Sequence, residues 1–275
     1  MTLTIGGALI AAAVLAYFAL PKDEFVERLW DLGIINLFMR RAKDIADDDW
    51  VQFVTTARHH YRVLGAGNHG YLSSEPTAEK FHSAFQYAIA NHHIDVEILW
   101  LNPQTQLAER REAEERRDTR FDSVEAIDWF YALAESLGAD KPHLRLFEYE
   151  STPSCGIVWA DDRLIVTQYL PAQADLFAPG LILRKTESVP RRLRKLVHLA
   201  PGREREQMAD VYISAYKQVR SHAKEITKDR LTELKQASEA FPHHRSEAVL
   251  RKEDAEKPKD AEEPKDEEKL KDEKK

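Results

Sequence analysis

Cysteine is nearly missing from this 275-residue chain: Cys155 stands alone. That excludes an intramolecular disulfide framework and any zinc module built on several cysteines. Long apolar runs are scarce too. Leu3 and Leu20 bound an uncharged stretch, residues 3–20 (LTIGGALIAAAVLAYFAL), and no other stretch of that length lacks a charge, so the chain is not polytopic. An excess of positive charge is also absent. Forty Lys and Arg against 47 Asp and Glu give a formal charge of −7, which argues against nucleic acid as a partner along its backbone, although a local basic patch can still touch phosphate. The length suits one main domain with appendages.

Residues 3–20 are long enough, at about 1.5 Å each, to cross the hydrocarbon layer once. A cleaved secretory signal competes with this, as does a buried core helix. A signal wants a positive n-region and a small-x-small cleavage site, and the sequence Met1-Thr2 before the run and Ala19-Leu20-Pro21-Lys22 at its end supply neither. The expectation is therefore a transmembrane anchor over residues 1–21. Lys22, Arg28, Arg40, Arg41 and Lys43 all follow the span, and the positive-inside rule then puts the C-terminal domain in the cytoplasm. Residues 22–45, with Trp30 near the exit, read as a juxtamembrane helix that either lies at the interface or packs on the domain.

The body, residues 46–200, carries alternating helix and strand patterns. A helix with Asp47, Asp48 and Asp49 in its first turn precedes a strand at 61–64, a glycine loop, a helix over 76–91 and a strand over 94–101. Residues 107–120 are almost all charged and are expected as a solvated helix or insert. A helix over 121–137 leads to strands at 143–149, 156–160 and 164–169, the last two a hairpin about Asp161-Asp162, with a further strand at 180–184. The fold class expected is α/β, a mixed sheet flanked by helices. Beyond it, Met208, Tyr212, Ala215, Val219, His222 and Ile226 form a heptad-like stripe that predicts one long amphipathic helix over 206–240, packed on the domain or self-associating or bound to a protein partner. Beyond Arg251 the chain is nearly pure Lys, Glu, Asp and Pro, and residues 242–275 are expected to be a disordered charged tail.

Several residues could carry chemistry. Gly65, Gly67 and Gly70 have a dinucleotide-type spacing after a strand, and with Asn68 and Ser73 they form a candidate ligand-binding loop, since backbone N–H groups before a helix hold anions. Ser73 or Ser74 would cap the helix that follows. The pairs His59-His60, His92-His93 and His243-His244 lack cysteine or acidic partners at metal spacing, so neither a metal nor a cofactor is assigned; His92-His93 reads as a helix end. Cys155 is expected to be a buried, inert thiol. The cluster Arg191-Arg192-Leu193-Arg194-Lys195 reads as a solvated helix face or a contact for anionic headgroups.

The order LGIINLFMRR, a helix-to-strand transition at Arg-Val-Leu-Gly, a glycine loop, a helix and VEILWLNP resembles the N-terminal half of a phospholipase D-like domain. LRLFEY and IVWADDRLIVTQY resemble that family's strand pair near its catalytic signature, over about residues 33–185 in all. The resemblance implies a His-x-Lys-x4-Asp centre in which His is the nucleophile and Lys offsets phosphate charge. Here Ser154 and Gly156 fall at the His and Lys positions when Asp161 is the Asp, and Cys155 and Ile157 when Asp162 is. A literal match, His222, Lys224 and Asp229, lies in the predicted long helix, where residues two apart point about 200° apart and do not converge. The resemblance thus implies the fold and a silent signature, and together with the anchor read from the apolar run the expectation is a membrane-anchored cytoplasmic binding or regulatory module. The alternatives are a phosphodiesterase or nuclease using Ser154, Asp161 and Asp162, or His222, Lys224 and Asp229, and a membrane-tethered nucleotide sensor.

Overall fold

The computed structural model describes residues 32–38, 44–66, 69–72, 74–115, 118–138, 143–152, 154–169, 178–185 and 208–241. The anchor expected over 1–21, the basic cluster at 191–195 and the tail at 242–275 lie outside these. Among the described residues no helix is long and apolar enough to cross a membrane.

Among the described residues eight strands form one mixed sheet: β1 (Ile34–Phe38), β2 (His60–Gly65), β3 (Asp95–Leu101), β4 (Leu144–Tyr149), β5 (Cys155–Ala160), β6 (Arg163–Gln168), β7 (Gly180–Arg184) and β8 (Lys224–Glu225). Their order across the sheet is β1-β7-β6-β5-β2-β3-β4-β8. Only β2, β3 and β4 run parallel, joined by helical crossovers as parallel strands require. Helix α2 (Glu75–His92) links β2 to β3, and α3 (Gln106–Glu115) with α4 (Thr119–Ser136) links β3 to β4. The remaining described helices are α1 (Asp47–Thr55), α5 (Met208–His222) and α6 (Lys228–Ser238), with a short 3-10 turn at His69–Leu72.

Local chemistry accounts for the boundaries. The α1 dipole is met by its three aspartates, and Asp49 accepts the Ala46 N–H at 3.2 Å. Ser74 caps α2 by accepting from Thr77 N, and α2 ends at His93, which takes a left-handed φ of 53°. Alternation along the strands sends two sets of side chains to two cores. On one face Tyr61, Val63, Ile98, Trp100, Leu146 and Ile165 pack beneath α1, α2, α4 and α6. On the other, Leu99, Phe147, Ile157, Trp159, Leu164 and Val166 pack beneath Ala209, Ile213 and Tyr216 of α5.

Three expectations change. Within residues 22–45, read as a helix, Ile34–Phe38 is an edge strand antiparallel to β7; its β-branched and aromatic residues find a sheet, and Phe38 packs where Gly180 leaves room, at 2.3 Å from a built Cβ. The helix expected over 206–240 is two helices. At the sheet edge Lys224–Glu225 pairs with β4, Ile226 N–H donates to Leu146 O at 2.9 Å, and Thr227 caps α6. Tyr216 packs on one face of the sheet and Leu234 on the other, so the chain has to turn around β4, which an unbroken helix cannot do. The break also covers part of an otherwise open strand edge. The charged segment at 107–120 is not simply solvated either: Glu112 is 1% exposed and pairs with Arg120 at 2.6 Å.

Candidate functional site

In sheets with parallel strands, ligands gather at the carboxyl ends where the strand order reverses. Here that place lies where β2 meets β3 on one side and the antiparallel β5 on the other, next to Ser154 and Gly156. Among the described residues, side chains crowd it at Gly156. A Cβ built on Gly156 would meet the Thr167 hydroxyl at 2.5 Å and the Tyr169 phenol oxygen at 3.1 Å. That phenol accepts the Ala66 N–H at 3.0 Å, and the Arg111 guanidinium lies 4.7 Å from the centre of the Tyr169 ring. Tyr149 donates to Gly65 O at 3.1 Å, and burial first, then Tyr169 and Cys155, push its phenol well above the ordinary range. Ser123 also reaches Ala66 O at 3.4 Å. Just outside sits a buried charge network, in which Arg111 pairs with Glu115 and Arg120 with Glu112.

The residues singled out in the sequence fall as follows. Ser154 is exposed and leans on the Cys155 sulfur at 4.0 Å. Burial pushes that thiol up to about 11. Asp161 lies at the far end of β5, roughly 20 Å from Ser154 at the rise of an extended strand. Its carboxylate accepts the backbone N–H groups of Arg58, His59 and His60 at 2.7, 2.9 and 3.1 Å. Burial raises its pKa, but these three donors and His60 outweigh that and hold it below the ordinary carboxylate range. Asp162 pairs with Arg184 at 2.8 Å. The structure therefore does not bring Ser154, Asp161 and Asp162 together.

His222 ends α5 and Lys224 lies in β8, and contrary to the expectation from an unbroken helix both line one groove. It holds about 320 Å³ and is bounded also by Tyr149, Glu150, Ser151 and Gln218. Asp229 is exposed in the first turn of α6 and is not among the lining residues. In the glycine loop Gly65 ends β2 and Gly70 sits in the 3-10 turn, while Gly67, Asn68 and Ser73 lie outside the described residues. The backbone at Gly65 and Ala66 is already engaged by Tyr149, Tyr169 and Ser123. No group of His, Cys, Asp and Glu among the described residues could hold a metal ion. Sequence reasoning missed the parts played by Tyr169 and Arg111. The hairpin register, which sets Gly156 against Thr167, was the available signal.

No family model matches the sequence, and no curated protein does. Solved structures similar to it include TrmBL2, an archaeal chromatin protein with a novel mode of DNA binding, at 10% identity and a TM-score of 0.37, over 80% of this chain and 66% of that one. Phosphatidylserine synthase of Haemophilus influenzae Rd KW20 is another, at 13% identity and a TM-score of 0.37, over 70% of this chain and 47% of that one. The chain thus covers less than two thirds of the length of either.

Proposed function

We propose that this chain is a binding or regulatory module of phospholipase D-like build, anchored through Leu3 to Leu20 with its domain on the cytoplasmic side, whose signature strand does no phosphodiester chemistry. The observation that carries the proposal is the packing at Gly156. The position that the resemblance assigns to a phosphate-neutralising lysine has no side chain, and Thr167 and Tyr169 stand in the space one would need. A hydrolytic centre needs a nucleophile and a positive group converging on one phosphate. Among the described residues the Ser154 hydroxyl has no imidazole or cation hydrogen-bonded to it: it leans on the Cys155 thiol, which burial keeps protonated. The topology rests on the basic residues that follow the apolar run.

Fractionation of cells expressing the chain, followed by a carbonate wash and protease treatment of inverted vesicles, tests the placement. Retention in the membrane with the domain cleaved only in inverted vesicles fits it; release into the soluble fraction overturns it. A second reading, hydrolysis at the α5–β8 groove, has one observation in its favour, that His222 and Lys224 share the groove. Against it, Lys224 faces Glu150 at 3.8 Å. Loss of any measured turnover on His222→Ala would select that reading.

A further inference from the structure

The α5 face of the sheet carries a polar rank that the readings above leave unused. Arg62 on β2, Glu97 on β3 and Arg145 on β4 stand side by side in register, with Trp159 of β5 beyond Arg62. Tyr216 and Arg220 of α5 roof them. Glu97 is almost buried, and all the cations turn to it: Arg145 at 2.6 Å, Arg220 at 3.5 Å and Arg62 at 3.7 Å. Tyr216 donates its hydroxyl to the same carboxylate at 3.3 Å, and burial first, then the Glu97 charge, push that phenol well up, so it stays a neutral donor.

One carboxylate does not saturate three guanidiniums. Only Arg145 makes a close pair; the other two sit at the limit of contact, and the buried Nε atoms of Arg62 and Arg220 have no hydrogen-bond partner among the described residues. The next rank toward the start of the strands does not supply the missing charge. Asp161 is spent on backbone N–H groups. Asp95 lies 3.7 Å from His143, and His60 stands beside Asp161. Among the described residues Glu97 is the one carboxylate within 4.0 Å of these guanidiniums, although Glu225 of β8 stands opposite Phe147, so two positive charges have no close counter-ion there. The guanidiniums are also held in place by rings: Arg220 lies 3.4 Å from the centre of Phe147, Arg62 4.8 Å from that of Trp159 and Arg145 5.9 Å from that of Phe147. Stacking fixes the planes and leaves the terminal N–H groups, rather than the buried Nε atoms, for an acceptor. The three side chains are 28–40% exposed, so solvent reaches them.

We propose that Arg62, Arg145 and Arg220 form a binding site for a doubly charged phosphate group, that of a phosphate monoester either free or on a lipid. Planar forks matched to phosphate oxygens, two charges without a close counter-ion and aromatic backing are what such a ligand requires. The three arginines lie off the signature strand, which contributes only the Trp159 ring behind Arg62, so failure of the site leaves the proposed silence of that strand untouched.

The test uses the whole chain in detergent micelles, with glycerol 3-phosphate titrated by calorimetry, and in a second arm flotation on phosphatidylcholine vesicles with and without phosphatidic acid. Arg62→Gln and Arg220→Gln each lower the affinity about tenfold, the usual share of one charge-assisted contact. Glu97→Gln raises it by removing the competing carboxylate, which a merely structural role does not predict. If that variant does not fold, the double variant Glu97→Gln/Arg145→Gln removes the close pair together, keeps the two loosely held guanidiniums and binds no more weakly than Arg145→Gln alone. Binding in the first arm assigns the free ester, and phosphatidic acid-dependent flotation weakened by the same variants assigns the lipid. No binding in either arm, or binding indifferent to Arg62→Gln and Arg220→Gln, overturns the proposal.

Discussion

Asp161 is predicted to be a structural clasp whose loss unfolds the hairpin end of the sheet. Its carboxylate gathers three backbone N–H groups at the start of β2 while its own φ is 51°. A hydrogen bond to a charged group contributes about 1.5–3 kcal/mol. The side chain is 21% exposed, so water recovers part of what three lost bonds would cost, and about 3 kcal/mol is the expected loss for Asp161→Gly. Alanine adds about 1 kcal/mol, because a Cβ disfavours the left-handed region that glycine enters freely. For a domain of this size that is about 6–12 °C in Tm for the glycine variant and more for alanine. Urea titration followed by tryptophan fluorescence reads it directly, since the Trp159 indole donates to Asp161 O at 2.7 Å. The folded-state pKa of Asp161 is lowered, so its contribution is complete above the unfolded value near 3.9 and is lost as pH falls through the folded value. The gap between wild type and Asp161→Gly should stay constant from pH 7 to about pH 5 and close in acid below that. Variants within about 0.5 kcal/mol of wild type at pH 7, or a gap that widens in acid, would refute the clasp.

Gly156→Lys, which supplies the charge that the proposed resemblance would call for, is expected to lose about 2 kcal/mol or more by displacing Thr167 and Tyr169, and to gain no phosphodiesterase activity; a melt and a turnover assay check both. Gly180→Ala puts a Cβ 2.2 Å from Val166 O and against the Phe38 ring, so β1 should detach from β7, seen as faster amide exchange at residues 34–38. Glu112→Ala strands the nearly buried Arg120 charge and should cost about 3–5 kcal/mol by urea titration. Cys155, 5% exposed with its thiol pushed up to about 11, should resist a disulfide reagent at pH 8 in the native chain and react fully in urea.

Most of the body was legible because its signals are local. The apolar runs of β2 to β7, the aspartates of α1 and the Ser74 cap each sit within or beside the element they define. What escaped depends on distant partners. The stretch Leu-Gly-Ile-Ile-Asn-Leu-Phe is apolar all round and becomes a strand only because β7 offers an edge. The stripe from Met208 to Ile226 keeps its heptad spacing straight through the break, yet Tyr216 and Ile226 belong to different cores. At the signature, the departures at Ser154 and Gly156 could be read from residue types alone, whereas the filling of that space by Tyr169 is a fact of the neighbouring strand. The arginine rank had a signal that went unread: His60 and Arg62, Asp95 and Glu97, His143 and Arg145 place polar groups at alternate positions near the start of three otherwise apolar strands, and alternation sends them to one face.

The silence of the signature strand is the claim on which the rest turns. Release of 4-nitrophenolate from bis(4-nitrophenyl) phosphate by the whole chain, beside Ser154→Ala and His222→Ala, measures it most directly. The expected result is no release above buffer from any of the three. Turnover by the unaltered chain that disappears in Ser154→Ala would contradict it.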